Sequence, residues 1–340
     1  MWHSLWRYHP RIGYTYMPSV RSRVPWEDGG YLVHTNAAGF RSDREFVKER
    51  PSGTFRAILF GDSQTAGDGV SNSDRYSDQL EKEVPGLEVF NYALTGTGSD
   101  QQYLTYLDCA DVDHDLVIIG LFVENIGRVA HRYLEFQDEH GKEVFYAKPY
   151  YEIEQGALVL RSVPVPKQPW TRLTLPPEDA SQVDRGAGIF PGVQAVLRQV
   201  VPFPLLRSAV EKLGVRELVQ KVTKFQTVPD YDAPDNPRWR LLSTILETWI
   251  RGSRTPVLLV PIPNWTFIEA SSDPTGYQTR FRELADATGC YLHDPLPDLW
   301  TYSAAERRAF RFPRDTHLSA RGHQAMARSL APVVEHIMRG

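Results

Sequence analysis

The chain has 340 residues, 41% apolar and 24% charged, enough for one large domain with insertions or about two ordinary domains, and not the composition of a disordered, collagen-like or coiled-coil protein. Lys and Arg number 38 against 42 Asp and Glu, a formal charge of -4, and no dense basic run occurs, which disfavours a nucleic-acid or anionic-membrane partner. The longest apolar stretch, Leu116 to Val123, is far below the ~20 residues that span a bilayer, so no transmembrane segment is expected.

At the N-terminus, Trp2, Leu5 and Trp6 are interspersed with His3, Arg7, His9 and Arg11, leaving neither an apolar signal core nor a small-residue cleavage site. No export signal is read there, and a cytoplasmic location is the expectation. Residues 1–53 are rich in Pro, Gly, Tyr and Arg and show no sustained helical period; Tyr31-Leu32-Val33 predicts a short strand or hairpin in an extension wrapped on a domain. The character then changes. Phe55 to Phe60 is a compact apolar run ended by Gly61-Asp62-Ser63, the pattern of a buried strand entering a functional loop. A helix is predicted over about 74–84, a short strand over 87–91, a helix over about 99–110 and a strand over 115–122 whose apolar residues predict cover on both faces.

Regular alternation breaks over 127–236, where Pro149, Pro164, Pro166, Pro169, Pro176 and Pro177 punctuate the chain and only about 193–225 reads as helical. This segment is the predicted insertion, a lid or substrate wall. Alternation resumes with a helix at about 238–251, a strand at 256–260, a helix at about 276–288, a short strand at 290–293 and a last helix at about 319–338. Strands separated by helices imply right-handed crossovers and a mostly parallel sheet between helical layers. The expected fold is therefore three-layer α/β/α, flavodoxin-like, built from 54–126 and 237–340.

In such sheets, sites form beyond the carboxyl ends of the strands. The first strand ends in Gly61-Asp62-Ser63-Gln64-Thr65-Ala66-Gly67, the second in Asn91 to Gly98 with Gly96 in its loop, and the third in Glu124-Asn125. Asp315-Thr316-His317 stands just before the last helix. The order and content of these four segments resemble the SGNH (GDSL-like) hydrolase superfamily, over about residues 55–126 and 238–338. The resemblance implies that Ser63 is the nucleophile, that Asp315 and His317 complete a triad, and that Ser63, Gly96 and Asn125 form the oxyanion hole. Gln64 stands where the family's name has Leu, and Ile126 follows Asn125 where Asp is common.

Chemistry gives each residue a reason. A serine hydroxyl is a weak nucleophile, so His317 would take its proton and return it to the leaving group. Asp315 would hold the imidazole tautomer and stabilise its cation. The Ser63 and Gly96 amides and the Asn125 side chain would face the charge on the tetrahedral intermediate. The reaction expected from the resemblance is hydrolysis of an O-acetyl or other O-acyl ester on a carbohydrate or glycoconjugate. An O-acyltransferase with an alcohol acceptor stays open, as does a non-catalytic glycan-binding module.

Other constellations are weaker. Asp111, Asp113, His114 and Asp115 lead into a buried strand and read as a polar turn, and Gly96-x-Gly98 lacks the third glycine of a dinucleotide fingerprint, so no metal and no cofactor is expected. His293 reads as structural. Asp100 and Gln101 read as helix capping, Trp170, Trp239, Trp249, Trp265 and Trp300 as packing residues, and Cys109 and Cys290 as small buried apolar residues.

Overall fold

The computed structural model describes residues 5–109, 111–137, 140, 142–184 and 226–340. Its centre is a parallel sheet of five strands: β1 (Phe55–Gly61), β2 (Leu87–Asn91), β3 (Leu116–Phe122), β4 (Val257–Ile262) and β5 (Tyr291–Leu292). Their spatial order is β5-β4-β3-β1-β2. Every residue of β3 and β4 is buried, which is why these strands read as unbroken apolar runs.

The helices follow from the connections. A right-handed crossover from β1 outward to β2 puts α2 (Tyr76–Glu83) on one face, and the return towards β3, β4 and β5 puts α3 (Ser99–Cys109), α4 (Pro237–Gly252) and α5 (Thr275–Thr288) on the other. Contacts agree: α3 packs on α4 and α4 on α5, while the last helix, α6 (Ala320–Arg339), packs on α2. Trp249, fully buried on α4, meets Phe60 of β1 at 5.4 Å between ring centres and anchors that helical layer. The order reverses between β1 and β3, and this is the switch point where such sheets hold their sites.

The N-terminal residues form two hairpins, Trp6–His9 with Gly13–Tyr16 and Arg21–Val24 with Tyr31–His34. Between the second hairpin and β1, Arg41 is 1% exposed and donates to the carbonyls of Gly67 and Val70 and to Asn72 Oδ1 at 2.8, 2.7 and 3.2 Å. The extension thus grips the loop that follows Ser63.

Several expectations need correction here. The 127–184 stretch, in which no strand is predicted, holds a sheet in which Tyr133–Gln137 pairs with Glu143–Ala147 and with Val183–Asp184, and a hairpin of Tyr150–Glu154 with Ala157–Arg161. The hairpin turn is Gln155-Gly156, both at positive φ (50 and 83°), as a two-residue turn of primed type requires. The helix predicted over 193–225 lies outside the described residues. Cys109 and Cys290 are partly rather than fully buried, because each sits at the margin of the core. Trp300 is 38% exposed, its indole N–H donating to the Phe267 carbonyl.

Candidate active site

Ser63 opens a single helical turn, α1 (Ser63–Ala66), directly after β1. Asp62 caps this turn by accepting from the Gln64 N–H at 3.0 Å, and Gly67, at φ 80°, closes it with its N–H on the Ser63 carbonyl. Gly61 is needed at the bend because a Cβ there would lie 2.6 Å from the Gly120 carbonyl of β3. The result is a sharp strand-to-helix turn that holds Ser63, 6% exposed, at the carboxyl end of the central strand.

His317 reaches this serine across 254 positions of sequence. Its Nε2 lies 2.8 Å from Ser63 Oγ, and its Nδ1 lies 2.5 Å from Asp315 Oδ1, which also accepts from the His317 main-chain N–H at 2.8 Å. With the ring proton on Nδ1, facing the carboxylate, the Ser63 hydroxyl is the donor to Nε2. Trp26 of the extension stands edge-on to the imidazole at 5.8 Å.

Electrostatics favour a chargeable imidazole. Burial alone pulls the His317 pKa down, but the hydrogen bond it donates to Asp315 and the negative charges of Asp68, Asp315 and Asp62 outweigh it and hold it above 6.5. Burial pushes the Asp315 carboxyl upward, yet its hydrogen bonds and charge interaction with His317 leave it below the usual carboxylate value. Asp62 and Asp68, 1% and 4% exposed, are raised by burial itself.

Asn125 lies at the end of β3 with its Nδ2 2.5 Å from Asp62 Oδ2. An amide nitrogen carries two hydrogens, so this bond occupies one. Gly96 sits at φ +78° in the loop after β2, and none of the described residues accepts a hydrogen bond from its N–H. Its neighbour Thr95 donates to Asp68 Oδ1 at 2.6 Å. The structure thus joins Ser63, His317 and Asp315 in one hydrogen-bonded line and sets Asn125, in the 3-10 segment Val123–Ala130, and Gly96, in the loop after β2, on segments bonded to Asp62 and Asp68.

Three residues emerge that the sequence reading left without a role. Gln64 bonds both sides of His317, its Nε2 donating to the Thr316 carbonyl and its Oε1 accepting from the Leu318 N–H. Asp62 binds the Asn125 amide, and Asp68 bears on the imidazole. An Asp on either side of Ser63 was the available signal.

His293 and Asp115 hold structural positions, whereas Asp100 and Gln101, expected as helix caps, lie inside α3 and bind distant segments. His293 bonds Ser329 at 2.7 Å, Asp100 forms a buried ion pair with Lys148, Gln101 donates to the Ile12 carbonyl at 2.8 Å, and Asp115 accepts from the Arg56 N–H at 2.8 Å.

Among solved structures, the chain is similar to a member of the lipolytic protein G-D-S-L family from Veillonella parvula, at 11% identity over 83% of this chain and 99% of that one, with a TM-score of 0.40. It is also similar to a lipase/acylhydrolase from Enterococcus faecalis, at 13% identity, 83% and 96% coverage and a TM-score of 0.42. A two-domain esterase active on acetylated mannans matches at 12% identity, 84% and 50% coverage and a TM-score of 0.39. No protein-family model and no curated protein matches the chain. Likeness at this level leaves the chemistry to be read from the site itself. Fold and site together define a three-layer α/β protein with a Ser-His-Asp line at the carboxyl end of its central strand.

Proposed function

We propose that the protein is a serine-dependent acyl-ester hydrolase that removes O-acetyl or another O-acyl group from a carbohydrate or glycoconjugate. The observation that carries the reading is the hydrogen-bonded line from Ser63 through His317 to Asp315. The Ser63 oxygen attacks the ester carbonyl as His317 Nε2 takes its proton, and the resulting imidazolium is stabilised by Asp315. The tetrahedral oxyanion is met by the Ser63 and Gly96 amides and the remaining Asn125 N–H. Collapse expels the alcohol, protonated by His317; water, deprotonated by the same nitrogen, then releases the acid and restores the serine.

The carbohydrate half of the reading rests on the sequence resemblance alone, which implies an O-acylated sugar as substrate. The test is a fluorophosphonate with peptide mapping, followed by mass analysis of products from a panel of acetylated sugars and aryl esters. A single adduct on Ser63 and release of acid from an acetylated sugar are expected. Labelling at another residue would overturn the nucleophile, and turnover confined to non-sugar esters would overturn the acceptor.

A further inference from the structure

Among the described residues a cleft of about 510 Å³ opens beside the Gly96 loop, within the range of roughly 300 to 1,000 Å³ usual for small-molecule sites. Neither wall belongs to the five-stranded sheet or its helices. One is the hairpin of Trp6–His9 and Gly13–Tyr16; the other is the pair of strands Tyr133–Gln137 and Glu143–Ala147 with residues 165–167. The rings of Trp6, Tyr8, Tyr14, Phe136 and Tyr146 line it. Tyr14 lies edge-on to Trp6 at 5.1 Å and to Phe136 at 6.2 Å, and Phe136 edge-on to Tyr146 at 5.7 Å.

The polar inventory of the lining is narrow. The Tyr8 hydroxyl already donates to the Val165 carbonyl at 2.7 Å and that of Tyr14 to the Thr95 carbonyl at 2.6 Å. Among the described residues no carboxylate or carboxamide side chain lines the cleft, and these are the groups that satisfy sugar hydroxyls in pairs. The charged lining residues are Arg7 and Lys167, both cations. Arg7 spends Nε on Thr15 Oγ1 and Nη2 on the Ala38 carbonyl, and Lys167 Nζ lies 5.7 Å from the Tyr8 ring centre. Neither charge has an acidic partner among the described residues.

Tyr14 connects the cleft to the catalytic end. Its ring is a wall, and its hydroxyl sits against the loop of Thr95 and Gly96, where a Cβ added to Gly96 would be 2.9 Å from the phenol oxygen. An aromatic lining with two cations that no described carboxylate pairs is complementary to an apolar body that ends in an anion.

We propose that this cleft binds an amphiphilic anion, a chain-like or aryl body bearing a carboxylate, as the remote arm of the ester cleaved at Ser63. The link to Ser63 rests on the reading of that residue as nucleophile; the binding site itself does not. The probe is octanoate, with octanamide as its neutral counterpart, titrated calorimetrically into full-length Ser63→Ala protein. One octanoate per chain is expected, at least ~10-fold tighter than octanamide, about 1.4 kcal/mol. Lys167→Gln, at an exposed position, and Arg7→Gln with Lys167→Gln should progressively erase that preference, whereas Phe136→Ala should weaken both ligands. In the wild-type protein, octanoate should compete with mono-4-nitrophenyl suberate, an ester whose acyl chain ends in a carboxylate. Absence of saturable octanoate binding, equal affinity for octanamide, or a charge preference that survives in the double variant overturns the site. Charge-dependent binding without competition in an active enzyme overturns its link to Ser63. Binding that persists in a wild-type protein hydrolysing no ester would overturn the catalytic reading alone.

Discussion

The side-chain amide of Gln64 clasps the residues on either side of His317: Nε2 donates to the Thr316 carbonyl at 3.2 Å and Oε1 accepts from the Leu318 N–H at 3.0 Å. The residue next to the nucleophile therefore fixes the backbone that carries the base, although 252 positions separate Gln64 from Thr316. Gln64→Leu removes both bonds and keeps the apolar bulk. It should lower kcat on the order of tenfold to a hundredfold, the effect of a base displaced by a fraction of an ångström to an ångström, with KM nearly unchanged. Steady-state kinetics on an aryl ester checks this, and an unaltered kcat would show that His317 is positioned without Gln64.

Two aspartates flanking Ser63 set the charge around the imidazole. Because the His317 pKa is held above 6.5, kcat/KM should fall as pH drops through a value higher than that of a free histidine. Asp68→Asn removes one of the negative charges that favour the imidazolium, so the acidic limb of the pH profile should move to lower pH. A limb that stays in place would remove Asp68 from this role. The same shift has a stability counterpart: the folded state binds this proton more tightly than the unfolded chain, so its contribution is complete below pH 6.5 and is lost as pH rises through the folded value.

Asn125 and Asp62 should behave as a unit. Removing an oxyanion donor costs about 2.7 to 4 kcal/mol of transition-state stabilisation, or roughly 10²- to 10³-fold in kcat, and Asn125→Ala is expected in that range. Asp62→Ala releases the Asn125 amide and the Gln64 N–H, so its loss should be comparable and the double variant little worse than either single one. Asp62→Asn, which retains an oxygen acceptor, should recover part of the rate. Additive losses would separate the two residues.

Arg41 is a stability element. It is buried, and the groups that accept its hydrogen bonds are two carbonyls and a side-chain amide oxygen, none of them charged. Arg41→Met leaves these acceptors bare and should cost roughly 2 to 4 kcal/mol, the penalty of unmade charge-assisted bonds in a buried setting. Denaturant unfolding measures it directly, and a change under about 0.5 kcal/mol, the usual effect of surface substitutions, would show that the extension does not support the nucleophile loop.

Much of this was legible beforehand because each catalytic candidate falls where two local signals coincide. Ser63 ends an apolar strand and is followed by Gly67; Asp315 and His317 precede a capped helix whose Ser319 accepts from the Gly322 N–H at 3.3 Å. The fully buried β3 and β4, and β1 beyond Phe55, announce themselves by composition alone. What escaped was tertiary. The strands at Tyr133–Gln137 and Tyr150–Glu154 are five residues long and sit among prolines that dominate a local reading. Gln64 and Arg41 act on partners distant in sequence, and no local pattern assigns a side-chain amide to a backbone 252 positions away.

The central claim is that Ser63 and His317 form one proton-transferring unit, and a kinetic cycle tests it most directly. kcat/KM for one activated ester should be measured for the wild-type protein, Ser63→Ala, His317→Ala and the double variant. Each single change is expected to remove nearly all turnover, and the double variant to be scarcely slower than either, because a base without its nucleophile has nothing to deprotonate. Independent losses that multiply in the double variant, or wild-type turnover in Ser63→Ala, would contradict the account.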